Sequence, residues 1–354
     1  MITQSLFKPT QTQIDKHDVY QYTLTNSLAT KAVFINLGAR LTQLHLVDRQ
    51  GVIDDVVLGF DDLESYRTHG RYFGATCGRY ANRIANAAFE LDGVQYQLDD
   101  NESPNHLHGG SEGLDQKYWQ VSLDEIDNKI EFSTDCVDGE MGYPGHVHLR
   151  VSYQLTEQNA LLIEMRASTD KATPINLVHH SFFNLAGQQA ENVLTHKIKM
   201  NCDHYTPIDS AKIPTGDIST VLDTPFDLRD MKYIGHYADF FHSDGGYDHN
   251  FCVNNYNGKL QQGCTVYHPP SGRVMVVESN QPGIQFYTAN HLDGSRLAKN
   301  GIAMKKHAGL ALETQCYPNA INVADFPGTV LLPQQEYQHM MRLSFCVKDD
   351  EVAS

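Results

Sequence analysis

A single carboxylate interrupts an apolar run in Gly309-Leu310-Ala311-Leu312-Glu313-Thr314-Gln315-Cys316-Tyr317-Pro318-Asn319. Buried there, Glu313 would have its pKa raised and become a candidate general base. On a solvated face it would be an ordinary surface acid, and spacing alone does not choose between the two. A second run, Thr173-Pro174-Ile175-Asn176-Leu177-Val178-His179-His180-Ser181-Phe182-Phe183-Asn184-Leu185, carries two adjacent histidines. In an extended chain Asn176, Val178 and His180 share one face while Ile175, Leu177 and His179 share the other, so only one imidazole can face a given cleft. Imidazole exchanges protons near neutral pH, although a histidine taken alone is more often a hydrogen-bonded structural residue. Gly246-Tyr247-Asp248-His249-Asn250-Phe251 and Gly78-Arg79-Tyr80-Ala81-Asn82-Arg83-Ile84 add an acid and a base among aromatics. Together Arg, Asp, His, Glu and aromatic faces suit a polyhydroxylated ring, whose hydroxyls take directional hydrogen bonds while its C–H face stacks on Tyr or Phe.

The densest polar cluster, Pro104-Asn105-His106-Leu107-His108-Gly109-Gly110-Ser111-Glu112-Gly113, matches two unrelated motifs. Gly109 to Gly113 fits G-x-S-x-G, but a nucleophile elbow needs a buried strand before it and a helix after it. Residues 101–108 read as loop and 114–119 as a poor helix, which argues against a hydrolase. His106-x-His108-x3-Glu112 could also place two imidazoles and a carboxylate around a divalent metal. The expected second histidine-bearing motif is missing and Asp100 stands where cupin-like barrels carry Gly. A turn with satisfied histidines is the simpler reading, with no metal expected.

These groups are positioned by strands. Val147, Leu149, Val151, Tyr153 and Leu155 alternate with His148, Arg150, Ser152 and Gln154, the pattern of a half-buried strand. Phe89–Leu91 and Val94–Leu98 flank Asp92-Gly93, a two-residue turn with left-handed backbone, and so predict a hairpin. Further strands are expected at Val33–Asn36, Leu41–Val47, Ile130–Ser133, Leu161–Ala167, Thr265–His268, Val274–Glu278 and Met341–Val347. Helical periodicity is scarce. Turn signals at Asn26-Ser27, Asp138-Gly139, Tyr143-Pro144-Gly145 and Pro270-Ser271-Gly272 punctuate short strands, predicting an all-β, large antiparallel sandwich. No repeat, linker or composition shift divides residues 1–354, so one domain is expected, with a polar tail at Lys348–Ser354 that frays.

The chain carries 43 acidic and 27 basic side chains, a net charge of −16 that would repel phosphate backbones and anionic lipid alike. Neither nucleic acid nor membrane is an expected partner, and a small neutral or hydroxylated molecule is. Seven cysteines, with no C-x-x-C, point to small buried thiols in a reducing compartment. Residues 1–13 show neither a basic nor an apolar targeting pattern, and no apolar stretch approaches a membrane span. A soluble cytoplasmic protein is the expectation.

Taken together and in order, these segments resemble the galactose mutarotase family, also called aldose 1-epimerases. The resemblance runs through GRYANRI (78–84), NHLHGG (105–110), DGEMGYPG (138–145), TPINLVHHSFFNLAG (173–187), IPTG (213–216), TPFDLR (224–229), GYDHNF (246–251), PGIQFYTAN (282–290) and LETQCYPNA (312–320). It implies a large antiparallel β-sandwich of the galactose mutarotase-like type, with a sugar in an open cleft and no cofactor. It further implies Glu313 as general base, His180 as general acid, and Arg83, Asp248, His108, Asn82 and Gln285 as sugar-binding residues. His106 is expected to be structural, and His179 departs from the Asn that usually precedes the catalytic His. The implied reaction interconverts α and β anomers of free aldohexoses such as galactose and glucose, in a monomer or homodimer. A hexose-6-phosphate epimerase, which would need a basic phosphate pocket, and a catalytically silent sugar-binding module are the alternatives.

Overall fold

The computed structural model describes residues 1–7, 18–68, 70, 72–237 and 245–349. Of the N-terminal stretch 1–13, residues 8–13 lie outside the described residues, as do residues 350–354 of the polar tail. Every strand predicted from alternation is present, most extended by one to four residues. Val147–Leu155 buries Val147, Leu149, Val151, Tyr153 and Leu155. Asp92 and Gly93 take positive φ of 52° and 76° between Ala88–Leu91 and Val94–Gln97, as the turn required.

Three antiparallel sheets build the body. Nine strands run in the spatial order Gln120–Asp124, Lys129–Cys136, Val147–Leu155, Ala160–Thr169, Tyr337–Val347, Arg273–Ser279, Gln261–Tyr267, Lys197–Met200 and Lys232–Tyr233. A five-stranded sheet holds Ile2–Leu6, Tyr20–Thr25, Lys31–Ile35, Arg40–Val47 and Ile53–Asp55. The third has six strands, ordered Phe182–Phe183, Leu310–Gln315, Gly283–Tyr287, Asp248–Cys252, His204–Tyr205 and Ser219–Thr220. One buried cluster joins them, with Phe34 and Leu44 from the five-stranded sheet, Val151 and Leu343 from the nine-stranded sheet, and Phe286 and Leu312 from the six-stranded one. This is a sandwich closed by apolar side chains from facing sheets. Among the described residues α-helix is confined to Leu63–Thr68.

Period-two alternation in the six-stranded sheet decides where the polar groups go. Leu310 and Leu312 turn inward to the main core. Their neighbours Ala311 and Glu313 therefore face the other side, where the register sets Ala311 opposite Phe182 and Tyr287, and Glu313 opposite Gln285. Asp248 pairs with Tyr287 and joins the same face. Its inner side packs into the main core, while on the outer side Ala311 and Phe182 join a second apolar cluster with Leu58, Phe60 and Phe73 beside the site.

Candidate active site

The outer face of that sheet floors a cleft of about 540 Å3, roofed by the loops around residues 68–73, 82–108 and 210–212. Small-ligand sites commonly measure roughly 300–1,000 Å3. Glu313 lies at its base and is 2 % exposed. Burial, and then the nearby Asp248 carboxylate, push its pKa well above the usual carboxylate range, with Arg83 opposing them. The run 178–180 pairs with Ala75–Cys77, and alternation turns His180 into the cleft. Its Nε2 stands 3.3 Å from Glu313 Oε1. Burial holds the imidazole down to about 4, against a partial opposing effect of its own backbone and of Asp248. Among the described residues Glu313 Oε2 has no hydrogen-bond partner.

His179 faces away, as alternation requires. Its Nε2 meets Ser181 Oγ at 2.7 Å and its Nδ1 meets the Tyr153 hydroxyl at 3.3 Å. Tyr153 in turn donates to the Ala39 carbonyl at 2.8 Å. The second histidine thus ties the strand carrying His180 to the nine-stranded sheet. It acts as a strut for the catalytic candidate.

Asp248 is clamped from two sides. Gln285 Nε2 donates to Oδ1 at 2.8 Å and Lys212 Nζ to Oδ2 at 2.9 Å. Burial alone would raise this carboxyl, but the ammonium of Lys212 and the guanidinium of Arg83 outweigh it and keep the pKa below its ordinary value. Gln285, expected as a sugar contact, lies opposite Glu313 on the cleft-side face and is not among the residues that line the cleft. Its Nε2 orients the Asp248 carboxylate, while its Oε1 has no hydrogen-bond partner among the described residues. Arg83 lines the cleft beside Asn82, its guanidinium held by Glu102 through Nε at 2.5 Å and Nη2 at 2.7 Å. Asn82 takes a positive φ of 59°, and its Oδ1 accepts the Arg83 backbone N–H at 2.9 Å. That local bond suits an amide side chain to a left-handed position.

The histidine loop resolves both motif alternatives. His106 is fully buried, with Nδ1 2.6 Å from the Asp99 carbonyl and Nε2 2.7 Å from the Tyr143 hydroxyl, so neither nitrogen is left for a metal. Glu112 is exposed and absent from the cleft lining. Ser111 is also exposed and is followed by a 3-10 turn at Leu114–Gln116 in place of a helix, so no nucleophile elbow forms. His108 does line the cleft, at a positive φ of 50°. A Cβ on the next residue, Gly109, would lie 1.8 Å from the Gly78 carbonyl oxygen, so this close approach of two backbones requires glycine.

One grouping of metal-ligand type exists among the described residues: His108, His180 and Glu313 offer atoms within 4.8 Å of one another. His108 Nδ1, however, accepts the Asn82 backbone N–H at 3.2 Å. Its proton therefore sits on Nε2, which makes that nitrogen a hydrogen-bond donor and leaves it no lone pair for a cation. The arrangement fits a ligand oxygen better than a metal ion.

Sequence reasoning did not single out several groups that the fold brings here. Tyr72, Phe182 and Tyr287 supply aromatic walls, while Lys212, His291 and Arg296 lie along one rim. Phe182 and Tyr287 were recoverable from alternation with His180 and Gln285. Glu102, Lys212 and Tyr72 sit in loops, where no periodicity marks direction.

Known proteins resemble this chain over most of its length. The aldose 1-epimerase family model matches residues 20–344. Galactose mutarotase of Bos taurus is 45 % identical over 314 residues, spanning 88 % of this chain and 90 % of its own. Aldose 1-epimerase of Haemophilus influenzae is 38 % identical over 306 residues, covering 85 % of this chain and 87 % of its own. The crystal structure of an aldose epimerase homologue from C. elegans superposes with a TM-score of 0.86 at 28 % identity, over 92 % of this chain and 98 % of that one. With the family model spanning most of its length, and an acid and a base facing each other in its cleft, the chain belongs to the aldose 1-epimerase family.

Proposed function

We propose that this enzyme interconverts the α and β anomers of free aldohexoses such as galactose and glucose, with Glu313 and His180 as its proton-transfer pair. The observation that carries the assignment is their 3.3 Å approach in a buried setting, beside the ionised Asp248 and the anchored Arg83. Ring opening removes the proton from the C1 hydroxyl and places one on the ring oxygen. The ring opens to an aldehyde, the C1 carbonyl turns, and reclosure delivers the other anomer.

Burial disfavours charge on both members, raising Glu313 and lowering His180. Two forms of the pair hold the same single mobile proton: carboxylate with imidazolium, and carboxylic acid with neutral imidazole. The first is the form that opens the ring, with Glu313 taking the O1 proton and His180 giving one to the ring oxygen. The second closes it, with the roles exchanged. A cycle that alternates between them needs no net proton from solvent. Arg83 and Asp248 hold ring hydroxyls, the Nε2–H of His108 donates to a sugar oxygen, and Tyr287, Phe182 and Tyr72 pack the C–H faces.

Arg83 and Lys212 are each matched by a carboxylate, which supports an unphosphorylated substrate. Cys77, Cys136, Cys202, Cys252, Cys264 and Cys316 are buried free thiols, and no helix among the described residues is long and apolar enough to cross a membrane. The buried thiols support the reading of a cytoplasmic enzyme, and the net charge of −16 supports that of one with neither membrane nor nucleic-acid partner; we place it as a monomer or homodimer. Optical rotation of fresh α-D-galactose and α-D-glucose tests the activity: the enzyme shortens the approach to equilibrium and leaves the end value unchanged. A time course unaltered for every common aldose would leave the sugar-binding module as the better reading.

A further inference from the structure

Lys212 stands at the cleft rim on a turn built to aim it. The Asp209 carboxylate accepts the backbone N–H groups of Ala211 and Ile213 at 2.8 and 3.0 Å, and the backbone N–H of Lys212 reaches the Asp209 carbonyl at 3.0 Å. A further bridge between Ile208 and Pro214 closes the base of the turn. Within it Lys212 adopts a left-handed backbone, φ 61°, which a lysine disfavours and which the surrounding bonds impose. The side chain is 20 % exposed and its ammonium is shared between Asp248 Oδ2 at 2.9 Å and His291 Nε2 at 2.8 Å. Since an ammonium can only donate, His291 accepts through Nε2, and two neighbours fix the position of one cation.

We infer that Lys212 is a specificity-determining sugar contact: its ammonium, placed by Asp248 and His291, fixes the Asp248 carboxylate and donates its remaining hydrogen bond to a substrate hydroxyl. The inference rests on the aldose reading of the same cleft. Three features support it. An ammonium has three donors, and Asp248 and His291 take two. The residue lines the cleft together with Asp248 and His291, so the third donor has substrate within reach. Gln285 already occupies the other carboxylate oxygen, so both edges of Asp248 are set before a sugar arrives. A hydroxyl bound to Asp248 and Lys212 is then read as acceptor and donor at once, and an epimer with that hydroxyl inverted loses both bonds. Lys212 touches neither Glu313 nor His180, so the consequence falls on binding and selectivity and leaves the proton transfer intact.

The test is steady-state mutarotation of D-galactose and D-glucose by the wild-type enzyme, Lys212→Met and Lys212→Arg, with folding checked by circular dichroism and thermal melting. Met preserves length and the backbone demand of the turn while removing the charge. Loss of a charge-assisted hydrogen bond predicts a KM about tenfold higher or more, with kcat within about threefold. The two sugars should be affected unequally, changing the ratio of their kcat/KM values. Lys212→Arg should recover at least part of the affinity, because a guanidinium still donates to both Asp248 and a hydroxyl. Unchanged KM for both sugars in folded Lys212→Met would overturn the inference. So would a lowered KM, which would make the ammonium a competitor of substrate for Asp248, or a fall confined to kcat. A wild-type enzyme inactive on every aldose would instead remove the parent reading, so the two failures are told apart.

Discussion

Glu313 and His180 exemplify a conflict between stability and chemistry at single residues. A carboxyl whose folded pKa is raised contributes fully below its unfolded value, and that contribution is lost as pH rises through the folded value. Glu313→Gln should therefore melt at a higher temperature than wild type at pH 7–8, with the gap closing toward acid pH. The same substitution removes the base while keeping shape, and should lower kcat by about 100-fold or more with little change in KM. His180→Asn should do likewise, and the double variant should cost far less than the product of the two, because the residues act as one unit. In the wild type, kcat should fall as pH drops toward about 4, where the pair takes up a second proton and Glu313 can no longer act as base. His108→Asn should chiefly raise KM. Because His108 Nδ1 is engaged by Asn82, extended chelation should leave the rate untouched. A loss restored by one divalent ion would revive the His108, His180 and Glu313 grouping as a metal centre.

At the level of elements, strands carry the reacting groups and loops carry the groups that select. Arg83 belongs to the two-residue ladder with His106–Leu107, yet its guanidinium is directed by Glu102, a loop residue. Glu102→Gln should keep kcat while raising KM about three- to tenfold, since one neutral amide replaces a two-point ionic grip. A kcat loss with KM unchanged would place Arg83 in the proton-transfer step instead. His106→Asn leaves the Tyr143 hydroxyl or the Asp99 carbonyl short of a partner, and should lower the melting temperature more than turnover. This division explains what could be read from the chain. Alternation separates His179 from His180, so that face was legible, whereas Leu310–Gln315 is buried at every position and its pattern left open which way Glu313 turns. Gln285 lies on the cleft-side face yet is not among the residues that line the cleft, and depth along a face has no period. The Lys212 turn and Glu102 depend on side chains that close loops in space, which a linear pattern does not encode. The short pairings at Arg83–Ile84, Val178–His180 and Phe182–Phe183 escaped prediction because two or three residues carry too little alternation to register.

For the whole molecule, the buried histidines set the response to acid. His179, His180, His196 and His339 are all buried, and burial holds them down to about 3, about 4, about 3 and about 4 from an ordinary 6.5. Each is neutral in the fold at a pH where the unfolded chain has already taken up a proton. The sign follows: a depressed folded pKa gives stability that is present above the unfolded value and lost as pH falls toward the folded one. Each such group steepens the loss by about 1.4 kcal/mol per pH unit between those limits. Glu313 works in the opposite direction, but it is one group against four. The net charge of −16, counted with neutral histidines, also eases as pH falls, which favours the fold through weaker self-repulsion. That gain is a screened surface effect, whereas protonating an imidazole enclosed by core side chains has no solvent to share the charge. Melting temperature should therefore drop continuously from about pH 6.5 toward pH 4. His196 offers a control, because it is enclosed away from the cleft and its ring stacks on His268 with centroids 4.6 Å apart. His196→Phe keeps an aromatic of similar shape and deletes one titrating group. Its melting temperature should fall less steeply with acid than that of the wild type, the two curves converging above pH 7. Parallel curves across pH 7 to 4.5 would show that carboxylates, and not the enclosed imidazoles, govern acid unfolding.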